Sequence, residues 1–245
     1  MGGASAVLSR RWAALAALAG ALAAYYAASE SLWNASTWLD VAFLAVVVIP
    51  AVFALVYVAL PLFGVRRLLL AAIVLVVLAV ATTAAELGPV ANFAKLAAVT
   101  AVAYVLLGFL DDLALVVLIA SIIPFVDAWS VWRGPTHVIV AHRRHIFTTL
   151  SFAFPVPGEH ASANLGLPDL LFFALFLVAC VHFGLRPGWT WLAMTLSFGA
   201  TMAVAVWIDL GGLPALPGLS IAFLAVNADL LWRKLAAPRV HLKPK

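Results

Sequence analysis

The sequence predicts an all-α protein, a polytopic bundle of transmembrane helices, on three observations. Of 245 residues, 66% are hydrophobic and 10% are charged, where a soluble domain carries about 25% charged residues. The apolar residues fall into eight runs of about 20, each enough to cross roughly 30 Å of hydrocarbon. The charges gather at the ends of those runs, where topology signals belong. Almost the whole chain is therefore expected in a lipid bilayer, with no room for a sizeable soluble domain. A net charge of +4, spread over segment ends, argues against nucleic acid as a partner. The single cysteine, Cys180, excludes an intrachain disulfide and reads as a small packing residue. Arg outnumbers Lys and Ala is abundant, which fits a GC-rich prokaryotic genome.

The spans follow in order. The first is Trp12 to Ala28, after Arg10 and Arg11. A signal peptide is a rival reading there, but the run is long for an h-region and the cleavage pattern near Ser29 is loose. The second is Trp38 to Leu60, with Pro50 inside. The third, Leu68 to Ala85, follows Arg66 and Arg67. The fourth is Ala91 to Leu110. Asp111 and Asp112 connect it to the fifth, Leu113 to Trp132. A polar segment, residues 133–166, separates this N-terminal bundle (residues 1–132) from a three-span C-terminal bundle (residues 167–232). Those last spans are Leu167 to Leu185, Trp189 to Ile208 and Pro214 to Trp232. Residues 233–245 form a basic tail with Arg233, Lys234, Arg239, Lys243 and Lys245. The tail is the strongest basic cluster, which predicts a cytoplasmic C-terminus in a multi-pass cell-membrane protein. Counting back puts Arg10, Arg11, Arg66, Arg67 and Arg186 on the same side. The polar segment lands outside despite Arg133, Arg143 and Arg144.

Two acids stand out. Asp127 lies inside the fifth apolar run and Asp169 opens the sixth. A carboxylate inside a hydrocarbon-spanning helix is costly, so it marks a functional site by default. Parity places both near the same membrane face, Asp127 about 8–9 Å and Asp169 about 3 Å below their outer helix ends. The turn before Pro214-Ala215-Leu216-Pro217 lies there too. Pro124, three residues before Asp127, frees a carbonyl and bends its helix. Two close carboxyls share one proton and titrate as a pair. The ionised one then takes a proton from water while the other donates to a carbonyl, with no metal or cofactor. Pro168 suits a first helical turn, which puts Asp169 near a helix N-terminus where the dipole favours its charged form.

These residues carry a resemblance. Phe125-Val126-Asp127, then Leu165-Gly166-Leu167-Pro168-Asp169, then Pro214-Ala215-Leu216 resemble the three motifs of the presenilin and signal peptide peptidase family. Those are a Tyr-Asp in one span, a Gly-x-Gly-Asp opening the next, and a Pro-Ala-Leu near the start of the last. The resemblance covers about Pro124 to Leu231. Val126 stands where the family has Tyr, and Pro168 where it has the second Gly. Eight spans are read here where the family typically has nine. The resemblance implies intramembrane aspartyl proteolysis of transmembrane-helix substrates, with Asp127 and Asp169 as catalytic dyad. It implies that Gly166, Leu167 and Pro168 shape the backbone by Asp169, and that Pro214, Ala215 and Leu216 meet substrate.

A substrate unwound in lipid needs strand partners for its freed backbone groups. Residues 147–154 are expected to supply an edge strand, with Pro214 to Pro217 facing it. Proline at Ser151 and Ala153 is accordingly expected to impair cleavage and spare the fold. A proton-coupled carrier using the same acids, and an inactive presenilin-like helix binder, are the alternatives. The remaining acids (Glu30, Asp40, Glu86, Asp111, Asp112, Asp209 and Asp229) sit at span ends, where solvation explains them. His137, His142, His145 and His160 lack Cys or acids at ligand spacing, so no metal is expected. His182 and Asn227 read as interhelical hydrogen-bonders. Neither His-Glu-x-x-His nor Gly-x-Ser-x-Gly is present.

Overall fold

A computed structural model describes residues 2–133, 144–210 and 213–236. The chain is mostly helical. The helices are α1 (Gly2–Ala28), α2 (Thr37–Phe43), α3 (Ile49–Val58), α4 (Leu68–Ala84), α5 (Gly88–Leu107), α6 (Leu113–Trp132), α7 (Arg144–Thr149), α8 (Leu167–His182), α9 (Pro187–Trp207) and α10 (Leu216–Ala236). A two-stranded antiparallel sheet, β1 (Ser151–Pro155) and β2 (Ser162–Gly166), lies between α7 and α8. Each of the eight expected apolar runs is helical over most of its length. Five helical stretches among the described residues are long and apolar enough to cross a membrane, and two more, α4 and α8, are apolar but shorter.

The second run is one continuous path from Thr37 to Leu62, but its turns widen into a π-helix over Leu44–Val48. Pro50 accounts for this. It has no N–H to give, and its ring crowds the carbonyl of Val46, four residues back. A wider turn relieves both.

Packing follows membrane rules. Large apolar side chains such as Leu69, Val77, Val80 and Phe125 point outward. Between helices there is little hydrophobic drive, because lipid is as apolar as leucine, so close fit and hydrogen bonds hold the bundle. Helices α4 and α5 meet over the small residues Ala79, Ala94 and Ala98. Helix α8 is the central pillar. Leu170 and every residue from Phe173 to Cys180 are buried, so it needs no lipid-matched length. At about 24 Å for 16 residues it is shorter than a bilayer core and sheathed by its neighbours. The Phe53 and Phe173 rings lie 4.0 Å apart, and Phe176 stacks on Phe223 at 4.8 Å, which ties α3 and α10 to this pillar.

A buried polar knot joins α8, α9 and α10 at the far end from the sheet. Asn227 donates to Thr190 Oγ1 (2.8 Å) and to the Phe223 carbonyl (2.9 Å), and accepts from the Arg186 N–H (3.0 Å). Arg186 then holds Asp229 through two 2.8 Å contacts at the surface. The interhelical role expected of Asn227 is met; His182 instead sets its ring against Phe63 and Phe183. Asn227→Leu should lower thermal stability by about 1–2 kcal/mol, because Thr190 and the Arg186 amide both lose a partner. A melting curve followed by helical circular dichroism checks this.

Asp40 departs from its expected solvation. It is 4% exposed, and its Oδ1 meets no hydrogen-bond partner among the described residues. Glu30 instead faces His160 at the surface, 3.2 Å apart. His137 and His142 lie outside the described residues.

Candidate active site

The site lies where α6, α8, β2 and the start of α10 converge. Helix α6 runs unbroken through Pro124 and carries Asp127 on its inner side, while Phe125 and Val126 face outward, 77% and 52% exposed. The residue at 126 therefore stands on the lipid side of this helix. Helix α8 starts at Leu167, with Pro168 in the first turn. There the missing N–H removes no helical bond, which explains how Pro168 is accommodated beside Asp169. Gly166 is the N-cap with φ −58° and ψ 139°, a conformation open to any residue.

Both carboxyls open onto one cavity of about 480 Å³. Each is held by a backbone amide at the start of a helix. Asp127 Oδ2 accepts the N–H of Leu216 at 3.1 Å. Leu216 is the first residue of α10, whose opening amides have no helical acceptor, and an acid is favoured there. Asp169 reaches back to the N–H of Gly166, the pairing of an N3 acid with the N-cap amide. The Pro-Ala-Leu segment thus has a concrete task. Leu216 fixes Asp127, while Pro214 and Ala215, still outside the helix, line the cavity.

The cavity wall opposite is the hairpin. Leu167 N–H bonds the Leu150 carbonyl and Val156 N–H bonds the Ala161 carbonyl. With Ser151 opposite Gly166 and Pro155 opposite Ser162, the odd-numbered residues of β2 face β1. The backbone groups of Ser162, Asn164 and Gly166 therefore point away from the ladder, and all three residues line the cavity. Asn164 Nδ2 bonds the Ser162 carbonyl at 3.1 Å. Ile49, Phe198 and Met202 make the apolar side.

The expected edge strand over residues 147–154 is corrected in two ways. Phe147 to Thr149 belong to α7, and the strand that begins at Ser151 is the far strand of the hairpin. The strand on the cavity is β2. It is five residues long and has no long apolar run, but Pro157-Gly158 before it is a turn signal. Gly158 has φ +71°, and a Cβ there would meet the Trp33 carbonyl oxygen at 2.6 Å, so only glycine closes this turn.

Of the residues singled out from the sequence, Asp127, Asp169, Gly166, Pro214 and Ala215 line the cavity. Leu167 lines a different one, against Lys95 and Val99 of α5, and Pro168 is exposed in the first turn of α8. The sequence reading missed Ser162, Asn164 and Thr201 on the cavity. Gly166 matters through space rather than backbone freedom. A Cβ on it would lie 3.1 Å from Asp169 Oδ2 and 3.5 Å from Pro168. Gly166→Ala should push the Asp169 carboxyl aside by a few tenths of an ångström. Turnover of any reaction run by the pair should fall about tenfold with the melting temperature unchanged, since small misplacements of reacting groups are expensive.

No protein-family model, curated protein or solved structure matches this chain.

Proposed function

We propose that this protein is a presenilin-like intramembrane aspartyl protease that hydrolyses peptide bonds of transmembrane segments. The observation that carries the reading is the meeting of two acids, from helices separated by a long polar segment, in one cavity beside a strand edge on which the Asn164 N–H and carbonyl point away from the partner strand. The eight helical runs are its eight spans, and the basic tail lies in the cytoplasm of a cell-membrane protein.

The chemistry follows from the pair. Asp127 and Asp169 share one proton, because two close carboxylates cannot both ionise. A water between them loses its proton to the ionised partner, and its oxygen attacks the scissile carbonyl carbon. The protonated partner gives its proton to the carbonyl oxygen. The tetrahedral intermediate then collapses: the C–N bond breaks, the amide nitrogen leaves as an amine with the proton taken from water, and a hydroxyl of the intermediate returns a proton to the aspartate that had given one up, which leaves a carboxylic acid and restores the singly protonated pair. The reaction consumes one water, forms no covalent enzyme intermediate and requires no metal ion. A helical substrate hides its peptide bonds, so the segment unwinds and adds as a strand to the outer edge of β2. Pro214 and Ala215 close the opposite side.

The test is a panel of single-span reporter peptides in liposomes, with products read by mass spectrometry. Two fragments ending within the span support the proposal. Peptides that bind and stay intact favour an inactive helix binder. Uptake driven by an ion gradient, with no product, favours a carrier.

A further inference from the structure

The hairpin has two edges, and they are treated differently. The β2 edge faces the cavity. The outer edge of β1, the backbone of Ser151, Ala153 and Pro155, is occupied by side chains from α1 and α5. Asn92 Nδ2 donates to the Ala153 carbonyl at 2.6 Å, and the Ala153 N–H donates to Asn92 Oδ1 at 2.9 Å. That is the pair of bonds a facing residue makes in an antiparallel ladder. Tyr26 Oη adds a second bond to the Ala153 carbonyl at 2.7 Å. Lys95 Nζ donates to the Ser151 carbonyl at 2.8 Å, and Tyr25 Oη to that of Pro155. Pro155 has no N–H to satisfy. Asn92 is 5% exposed and sits on a helix that otherwise reads as an apolar span.

We infer that Asn92 is a positioning residue for strand addition: its amide fills the outer edge of β1 as a third strand would, so that an extended segment docks on β2. The inference rests on the proposed substrate geometry. Open strand edges recruit other strands, and in lipid an unmet backbone group seeks any partner. With Asn92 gone, the Ala153 N–H is left unmet while Tyr26, Lys95 and Tyr25 still hold the three carbonyls of that edge, so β1 is held less firmly behind β2. The hairpin also loses one of its two anchors to α5, with Lys95 the other.

The test reads docking without cleavage. A synthetic single-span peptide carries a photo-reactive benzophenone side chain at successive positions. It is cross-linked in liposomes to protein in which Asp127→Asn and Asp169→Asn keep it intact, and adducts are mapped by mass spectrometry. With Asn92 present, adducts fall on Ser162 to Gly166 with a period of two along the peptide. Asn92→Leu lowers their yield about tenfold and blurs the period, as expected from losing two hydrogen bonds at the anchor. Tyr26→Phe, which removes a single bond to the same carbonyl, lowers it about threefold. It decides the matter if Asn92→Leu melts well below the parent. Unchanged yield and period in a folded Asn92→Leu protein would overturn the inference. Absence of β2 adducts with Asn92 in place overturns it as well. If β2 adducts appear as described while the unsubstituted protein leaves the peptide whole, proteolysis fails and the positioning role stands.

Discussion

Asp127→Asn and Asp169→Asn should each reduce reporter cleavage at least about a thousandfold, the upper range of what one acid–base group contributes. Neither amide can take up or release the shared proton, so either change removes the whole relay. The two effects should not add. The double variant should be no slower than the worse single one, because residues acting as a unit fail together. The fold should persist. An asparagine at 127 keeps an oxygen for the Leu216 N–H, and one at 169 keeps an oxygen for Gly166. Initial rates on one reporter, with melting temperatures taken alongside, check this. Residual activity above a tenth of the parent in a single variant would rule out the dyad. Activity lost together with a large drop in melting temperature would point to a structural role.

Asn164→Pro should lower kcat/KM between about tenfold and a hundredfold, mostly through KM. The N–H of Asn164 points away from β1, so proline removes a donor from the open edge and leaves the ladder whole. A docking segment loses that hydrogen bond and meets the ring, together worth roughly 1.4–3 kcal/mol. Asn164→Ala is the control. It keeps the N–H and gives up only the side-chain contacts to Ser151 Oγ and the Ser162 carbonyl, each 3.1 Å. Its KM should stay within about threefold of the parent. Equal losses in the two variants would place the effect in the side chain and count against strand addition. The structure also revises the proline scan suggested by the sequence. The Ala153 N–H bonds Asn92, so proline at 153 strikes the anchor of the hairpin and does not leave the fold untouched.

Much of the helical frame was legible. An apolar run of about 20 residues has few ways to satisfy its backbone in lipid other than a helix. The two acids were legible for a related reason: a charge in such a run demands a purpose. Pro50 was visible inside its span, and the π-helical turn before it is a local response to a missing N–H and a crowded carbonyl.

The hairpin was only half legible. Phe152 and Phe154, both buried, alternate as a strand should. Ser162 to Gly166 has too short and too polar a pattern to register alone, and it becomes a strand because β1 pairs with it. Asn92 and Lys95 lie in an apolar span, and neither carries a role that the sequence alone reveals. Their partners lie 61 and 56 residues away, and no local pattern encodes such a contact. Asp40 shows the converse error: near a span end the sequence suggests water, while packing of the surrounding helices buries it.

By itself, then, the sequence determined the number of apolar runs, their order and the two acids within them. Those depend on transfer of side chains and backbone between water and lipid, which is a property of each segment alone. The tertiary structure decided which amide holds each acid, which strand edge stays open and which is sealed. Those are contacts between segments far apart in the chain, set by how the helices pack around α8.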